Sequence, residues 1–558
     1  MKYPKTTLIL STLLLCSTAF GKPAMRGIRT VSQPDGSKLE IIVEGDEHFH
    51  YTATPSGLLL TKDSDGFYRL ARLEADGAIT STGIFPSDAK ALLAATPVSE
   101  LDLGKIRARR MLKRNAPQSG IGMSSSTYPT TGHPKGLVIL VEYSDVKFNS
   151  SYNAQAYFNG LINGEHFTDF GATGSAYQYF NEQSGGKFVP SFDVLGPVTL
   201  PNKQAYYGKN DRYGEDQHPE QMVVQAIESL DSTVDFSIYD TDGDGIIDNV
   251  YVFYAGQGEA DYGDDDTVWP HAWDVRNAGI NKKVDGVYIG HYACSNEWSE
   301  KAPDGLGTFI HEFSHVMGLP DLYDTVNASA DYTPSDFSVL DYGPYLNDSR
   351  TPPNYGAYEK NALGWFEPII LDGPMSVELR AISSGDFALI PTDNVNEFFL
   401  LENRQLTGWD AYIPASGMLI WHIDYNKKVF DDNEVNNTKN HQRVDIVEAN
   451  EKVSYKYASG FTFPGTTGKT EFTPTSSPAL KNWAGKGIDL PITNISDNGM
   501  LVTFDVAGGG ELMTEVGSVV SDETSPVYYN MQGLPVVTPL PGMLLIEKKG
   551  DKVRKIIF

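Results

Sequence analysis

Apolar and polar positions follow three different rhythms along the chain. From residue 22 to about 115, short strand-like runs such as LEIIVEGDEHFHY and FYRLARLEADGAI alternate with turn signals (QPDGS, TKDSDG). After a polar stretch the rhythm becomes mixed. GLVILVEYSDV has the continuous apolar run of a buried strand, SAYQYFNEQSG and PEQMVVQAIESL carry apolar residues at helical spacing, and DNVYVFYAG returns to strand. Beyond Pro368 come short β-rich runs (SVELRAI, EFFLLENRQL, GMLIWHIDY, QRVDIVEAN, MLVTFDV) punctuated by Gly, Pro and Asn. The expected fold is therefore multidomain: a β-rich region over 22–115, an α/β domain over 116–368, an antiparallel β-sandwich over 369–508 and a tail over 509–558.

A chain of 558 residues is too long for one hydrophobic core, which agrees with that division. Ahead of it stands MKYPKTTLILSTLLLCSTAFGK, with two lysines before an apolar stretch and small residues at Ala19 and Gly21. This reads as an export signal over residues 1–21, cut after Gly21, so the protein is expected outside the cell or at its surface. A folded piece over 22–115 then ends in the basic run KIRARRMLKRN and a polar linker, the layout of a propeptide with a protease-sensitive junction.

With the signal removed Cys294 is the remaining cysteine, so no intramolecular disulfide is available and stability rests on packing and bound metal. The net charge of -28 argues against nucleic acid and anionic membrane surfaces as partners. No stretch after the signal is long and apolar enough to span a bilayer.

The chemistry concentrates in GTFIHEFSHVMGLPDLYD. Residues four apart share a helix face, so His311 and His315 can present their imidazoles to one zinc ion, with Glu312 beside them to take a proton from a water. Gly318 allows the chain to leave the helix with positive φ, and the turn brings Asp321 round as a third ligand. A rival third ligand is Glu359 in YGAYEKNALGW, whose bland reading is a solvated helix residue. The extended motif resembles that of metzincins, with Asp at the position of their third His. The run SVLDYG corresponds to the methionine turn of that group, with Leu340 in the methionine's place and Tyr342 as a candidate hydrogen-bond donor to a developing oxyanion.

A second acidic cluster lies in YDTDGDGIID. Asp240, Asp242, Asp244 and Asp248, with the carbonyl of Ile246, have the spacing of a calcium loop, although Tyr251 stands where an EF-hand has its bidentate Glu.

Taken together, QPDG, GDEHFHY, LVILVEYSD, GSAYQYFNEQSGGKF, DTDGDGIIDNVYVFYAG, GLPDLYD, DYG and ALGW resemble the immune inhibitor A-type family of secreted bacterial metalloproteases over roughly residues 30–505. The resemblance implies a zymogen with an inhibitory pro-region, one catalytic zinc, structural calcium, and protein or peptide substrates cut at internal bonds. The last fifty or so residues are similar to the C-terminal sorting tails of exported proteins. Two other readings remain open at this stage: a non-catalytic adhesin or carbohydrate-binding protein on a protease-like scaffold, and an aminopeptidase with Glu359 as ligand. A cysteine switch is excluded as the latency device because residues 22–115 contain no Cys, which leaves a carboxylate, a His such as His48 or His50, or a loop across the cleft.

Overall fold

A computed structural model describes residues 21–46, 49–74, 78–87, 96–100, 128–261, 265–299, 302–327, 329–513, 527–529, 544–549 and 552–557. The export signal, Cys16, His48 and the basic run at 105–114 lie outside the described residues.

The N-terminal region is a six-stranded antiparallel meander running from Arg29–Ser32 to Ile79–Ser81 in sequential order. One of its apolar clusters joins Ile41, Val43, Leu60, Tyr68 and Leu70 to Ala260 and Trp269, so the meander is packed onto the unit that follows it.

That unit is built on a five-stranded sheet. In spatial order its strands are His271–Asp274, His291–Asn296, Val250–Tyr254, Lys135–Glu142 and Ser191–Thr199. Neighbours are parallel except at the His271–Asp274 edge, which pairs antiparallel with His291–Asn296. Period-two alternation sends Leu137, Ile139 and Val141 to one face, against the helix Pro219–Leu230. Val138 and Leu140 point to the other face, against Ala154–Asn163, Ala176–Gln183 and Gly307–Val316. Cys294 lies on the first face, fully buried, in keeping with a packed thiol.

Val527–Tyr529, Leu544–Lys549 and Lys552–Ile557 form a separate three-stranded antiparallel sheet, and residues 369–513 hold two sheets. One orders Ile369–Ile370, Phe387–Pro391, Glu397–Arg404, Gly417–Asp424 and Val444–Ile446; the other orders Ile492–Asp497, Val502–Val506, Met375–Leu379 and Glu511–Met513. Pairing is antiparallel except for one parallel edge pair in each sheet. Ala388, Ile390, Phe399, Leu401, Met418 and Ile420 share one cluster with Val377, Val502 and Phe504 of the opposite sheet.

The boundary expected at residue 368 does not separate two cores. Every residue of Glu397–Arg404 and Gly417–Asp424 is buried. The alternate residues Phe387, Leu389, Phe398, Leu400, Leu419 and Trp421 belong to the same cluster as Phe309, Ile310 and Phe313 of the helix Gly307–Val316. A sheet covered on both faces needs apolar residues at successive positions, which is why EFFLL and MLIW are continuous rather than alternating. A hydrogen bond from a buried arginine ties the two units as well. Arg404, with no exposed surface, bridges Glu402 at 3.0 Å and Asp410 at 2.6 Å and donates to the carbonyl of Phe337 at 3.2 Å.

A chain ending at Pro368 would expose the apolar face of this helix and leave the layer beneath it open. Such a chain is expected not to give a cooperatively unfolding protein, whereas one ending at Met513 is; calorimetry of the two decides the matter.

Candidate metal centre

The helix Gly307–Val316 is buried over nine consecutive residues from Gly307 to His315. Gly307 lies so close to Pro344 that a β-carbon would sit 2.0 Å from its carbonyl oxygen, so only glycine lets the helix start there. The helix ends at Met317, and Gly318 takes the expected positive φ of 97°.

His311 and His315 meet edge to face, with ring centroids 4.7 Å apart. Each donates its Nδ1 proton to a backbone carbonyl, His311 to Val339 at 2.7 Å and His315 to Leu319 at 2.8 Å. Both Nε2 atoms therefore turn lone pairs inward, 3.1 Å from each other. Asp321 Oδ1 lies 3.3 Å from His311 Nε2 and 3.2 Å from His315 Nε2, with no other group donating to it. Three buried electron-pair donors facing one another are mutually repulsive unless a cation lies between them. A divalent metal with imidazole and carboxylate ligands fits this set.

Without a cation the three groups would instead have to share a proton. Burial opposes charge on His315, but the Asp321 carboxylate outweighs it and pushes the imidazole up to about 9. Burial would raise Asp321, yet the two imidazoles hold it below the usual carboxylate range. Burial, with a counteracting hydrogen bond to Asp321, leaves His311 below its ordinary value.

Asp321 is aimed by a residue that sequence reasoning did not single out. Asn433 accepts the Asp321 main-chain N–H through Oδ1 at 2.8 Å and donates through Nδ2 to Asp321 Oδ2 at 2.7 Å. With Oδ2 occupied, Oδ1 is the oxygen left to face the imidazoles. Asn433 follows the short helix Lys427–Asp431 at a φ of 55°, a conformation Asn tolerates better than most residues. Asn436 and Asn437 dock the same loop onto Leu322 and Thr325. The only trace in the sequence is the asparagine-rich run DDNEVNN, 112 positions from its partner.

Glu359 corrects the expectation of a solvated helix residue: it is fully buried. It accepts from Ser338 Oγ at 2.7 Å, outside the cluster of His311, His315 and Asp321, and burial pushes its carboxyl up to about 7. Leu340 is also fully buried, in the cluster that contains Phe309, Ile310 and Phe313. Tyr342 lies beneath Arg26, whose guanidinium carbon is 3.4 Å from the ring centroid.

Glu312 is fully buried and faces the chain's own N-terminal segment. The main-chain N–H of Lys22 donates to Glu312 Oε1 at 3.2 Å. Aromatic donors hold the carbonyls around it: Tyr323 binds Gly21 at 2.7 Å, Trp269 binds Lys22 at 3.1 Å and Tyr345 binds Pro23 at 2.6 Å. Met25 continues with a hydrogen bond to the carbonyl of Ala260 at 2.9 Å. His50, one of the groups considered for covering the site, instead binds Glu259 at 2.9 Å and stacks on Trp269.

In the acidic loop, Asp240, Asp242 and Asp244 bring one carboxylate oxygen each within 4.8 Å of the others. Gly243 and Gly245 take positive φ there. Asp248 stands apart from this trio and accepts from the main chain of Thr241 at 3.1 Å. The Ile246 N–H donates to Asp244 Oδ1 at 2.8 Å.

Residues 126–366 match the model of the immune inhibitor A peptidase M6 catalytic domain. Over 239 residues, 36% of this chain and 34% of the relative, the sequence is 32% identical to immune inhibitor A of Bacillus thuringiensis subsp. alesti. It is 24% identical over 269 residues to the pre-pro-metalloprotease PrtV of Vibrio cholerae serotype O1 (strain M66-2), covering 41% of this chain and 29% of that one. The chain thus spans about a third of the length of these curated relatives.

Two outcomes follow from the geometry. Asn433→Ala should weaken zinc binding by about 10- to 100-fold, measured by competition with a chromogenic chelator, because Asp321 loses the partner that aims it. If the trio of aspartates holds calcium, EGTA at a level that spares zinc should lower the melting temperature by about 5 °C. The double variant Asp242→Ala, Asp244→Ala should melt at the same temperature with and without calcium.

Proposed function

Because residues 126–366 match the immune inhibitor A peptidase M6 catalytic domain, we propose that the protein is an exported, zinc-dependent endopeptidase made in latent form. The observation that carries this reading is the buried Glu312 next to His311, in the helix whose two imidazoles converge with Asp321. Zinc held by His311, His315 and Asp321 would polarise the scissile carbonyl and acidify a water. Glu312 then accepts the proton of that water and returns it to the departing amine. Trp269, Tyr323 and Tyr345, which bind carbonyls of the segment at 21–23, are positioned to hold those of an extended substrate. Tyr342, the donor expected for the developing oxyanion, lies under Arg26, four residues along the segment from Lys22, and is uncovered when Arg26 leaves.

In this reading residues 22–115 are the propeptide, 369–508 a β-sandwich unit, and 509–558 a sorting tail. A structural calcium sits at Asp240, Asp242 and Asp244, completed by the Ile246 carbonyl and by Asp248 if its bond to Thr241 gives way. Of the latency devices open at the outset, the placement of Lys22 to Arg26 supports a segment lying across the cleft. An export signal ending at Gly21 would make Lys22 the first residue, with its amine beside Glu312. The adhesin reading fares worse, since a binding protein has no use for a carboxylate buried next to a metal-ligand triad.

Glu312→Gln should reduce peptide hydrolysis by at least about 1,000-fold while zinc content stays near one per chain, checked by product sequencing and metal analysis. Loss of zinc in that variant would assign Glu312 to the metal instead. The chain from Lys22 to Phe558 should be inactive until limited trypsin treatment cuts the basic run at 105–114. Full activity of the uncut chain, or activation by cutting elsewhere, would count against latency.

A further inference from the structure

The side chain of Lys22 lies in a pocket of its own. It is fully buried, and a lysine is seldom buried without a counter-charge. Its ammonium pairs with Asp261 Oδ1 at 2.7 Å, donates to Thr308 Oγ1 at 2.9 Å and lies 4.9 Å from the centre of the Tyr345 ring. Asp261 is 1% exposed and is braced by Asn296, which donates to its Oδ2 at 3.0 Å. Thr308 passes its own hydroxyl proton to Asp304 Oδ2 at 2.9 Å, so a second buried carboxylate backs the first. Thr308 is four residues before Glu312 on one helix face, which places this acidic pocket beside the proton carrier.

The position of the Lys22 nitrogen fixes which subsite this is. At the end of the proposed cleavage Glu312 delivers a proton to the amine of the departing half. A main-chain nitrogen 3.2 Å from Glu312 Oε1 stands where that amine would be. Lys22 thus occupies the place of the residue immediately after the bond that is cut, and residues 23–26 run on along the leaving-group side.

We propose that the pocket of Asp261, Asp304 and Thr308 receives the first residue after the scissile bond and selects lysine or arginine there, so that the protein cuts polypeptides on the N-terminal side of basic residues. The inference rests on the endopeptidase reading above. In the reaction the C–N bond breaks, the hydroxyl of water goes to the carbonyl carbon, and its proton goes to the nitrogen of the basic residue. An apolar side chain at this place would leave two buried carboxylates without a counter-charge, and that penalty is the source of discrimination. The N-terminal segment blocks the site with the kind of side chain the pocket is made to hold.

The test is product sequencing after a denatured protein is digested by the trypsin-activated chain, freed of trypsin on an inhibitor resin. Lys and Arg should be enriched about tenfold as the first residue of new N-termini. Carry-over trypsin would put them at C-termini instead. Asp261→Asn should lower the ratio of cutting before Lys to cutting before Leu by about tenfold, and Asp261→Lys should turn the preference towards Glu and Asp. Cleavage with no preference after the scissile bond overturns the inference and leaves the endopeptidase reading standing. Absence of any cleavage overturns that reading, and the pocket is then decided by calorimetry. The peptide KPAMR, matching residues 22–26, should bind the activated Glu312→Gln protein about tenfold more tightly than the same peptide with norleucine for lysine. Equal affinities would overturn the proposal, and this comparison needs no change to the pocket itself.

Discussion

Three lone pairs pointed at one buried spot set the terms for the rest of the molecule. Two imidazole nitrogens and a carboxylate oxygen, all within 3.3 Å of one another and buried, repel unless a cation joins them. Their arrangement therefore has to be imposed by the surrounding fold. The helix spacing sets the histidines, the carbonyls of Val339 and Leu319 set their tautomers, and the left-handed Gly318 sets the path to Asp321. Each of these supports comes from a different segment, so the site is only as well defined as the packing that holds those segments together.

That packing crosses the expected domain border. The loop containing Val339 and Leu340 lies between the helix of the histidines and the sheet that contains Glu402 and Arg404. Arg404 fastens the Phe337 carbonyl at one end of the loop, and Ser338 joins it to Glu359. Asn433 reaches across from the same side to the third ligand. Residues beyond 368 thus align the metal site as much as they stabilise the chain.

Much of this was legible in the sequence where the signal was local. A helical pair of histidines, a glycine that must turn and an aspartate three residues on are constraints within one short segment, and they stand where the spacing puts them. The trio of aspartates at 240, 242 and 244 was similarly local. What could not be read depended on distant segments meeting. Nothing in DDNEVNN points to a partner 112 residues earlier, and the burial of Glu359 follows from tertiary packing against its helix rather than from its own neighbours. Likewise KPAMR carries no mark of a substrate-like strand, because extended segments are defined by what they lie against. The continuous apolar runs at 398–401 and 418–421 carry the pattern of a sheet buried on both faces, which the expectation of a sandwich with its own core left unused.

A sheet with no wet face also constrains how such a protein can change over generations. A domain with its own closed core can be swapped between genes like a cassette, because its border is a linker. Here the border runs through a shared apolar layer in which Leu400 and Trp421 belong to the same cluster as Phe309 and Phe313. Replacing either side alone leaves mismatched shapes against the metal helix. A change on one side of that layer therefore calls for a compensating change on the other, and loops on the solvent side are left as the places where substitution is cheap.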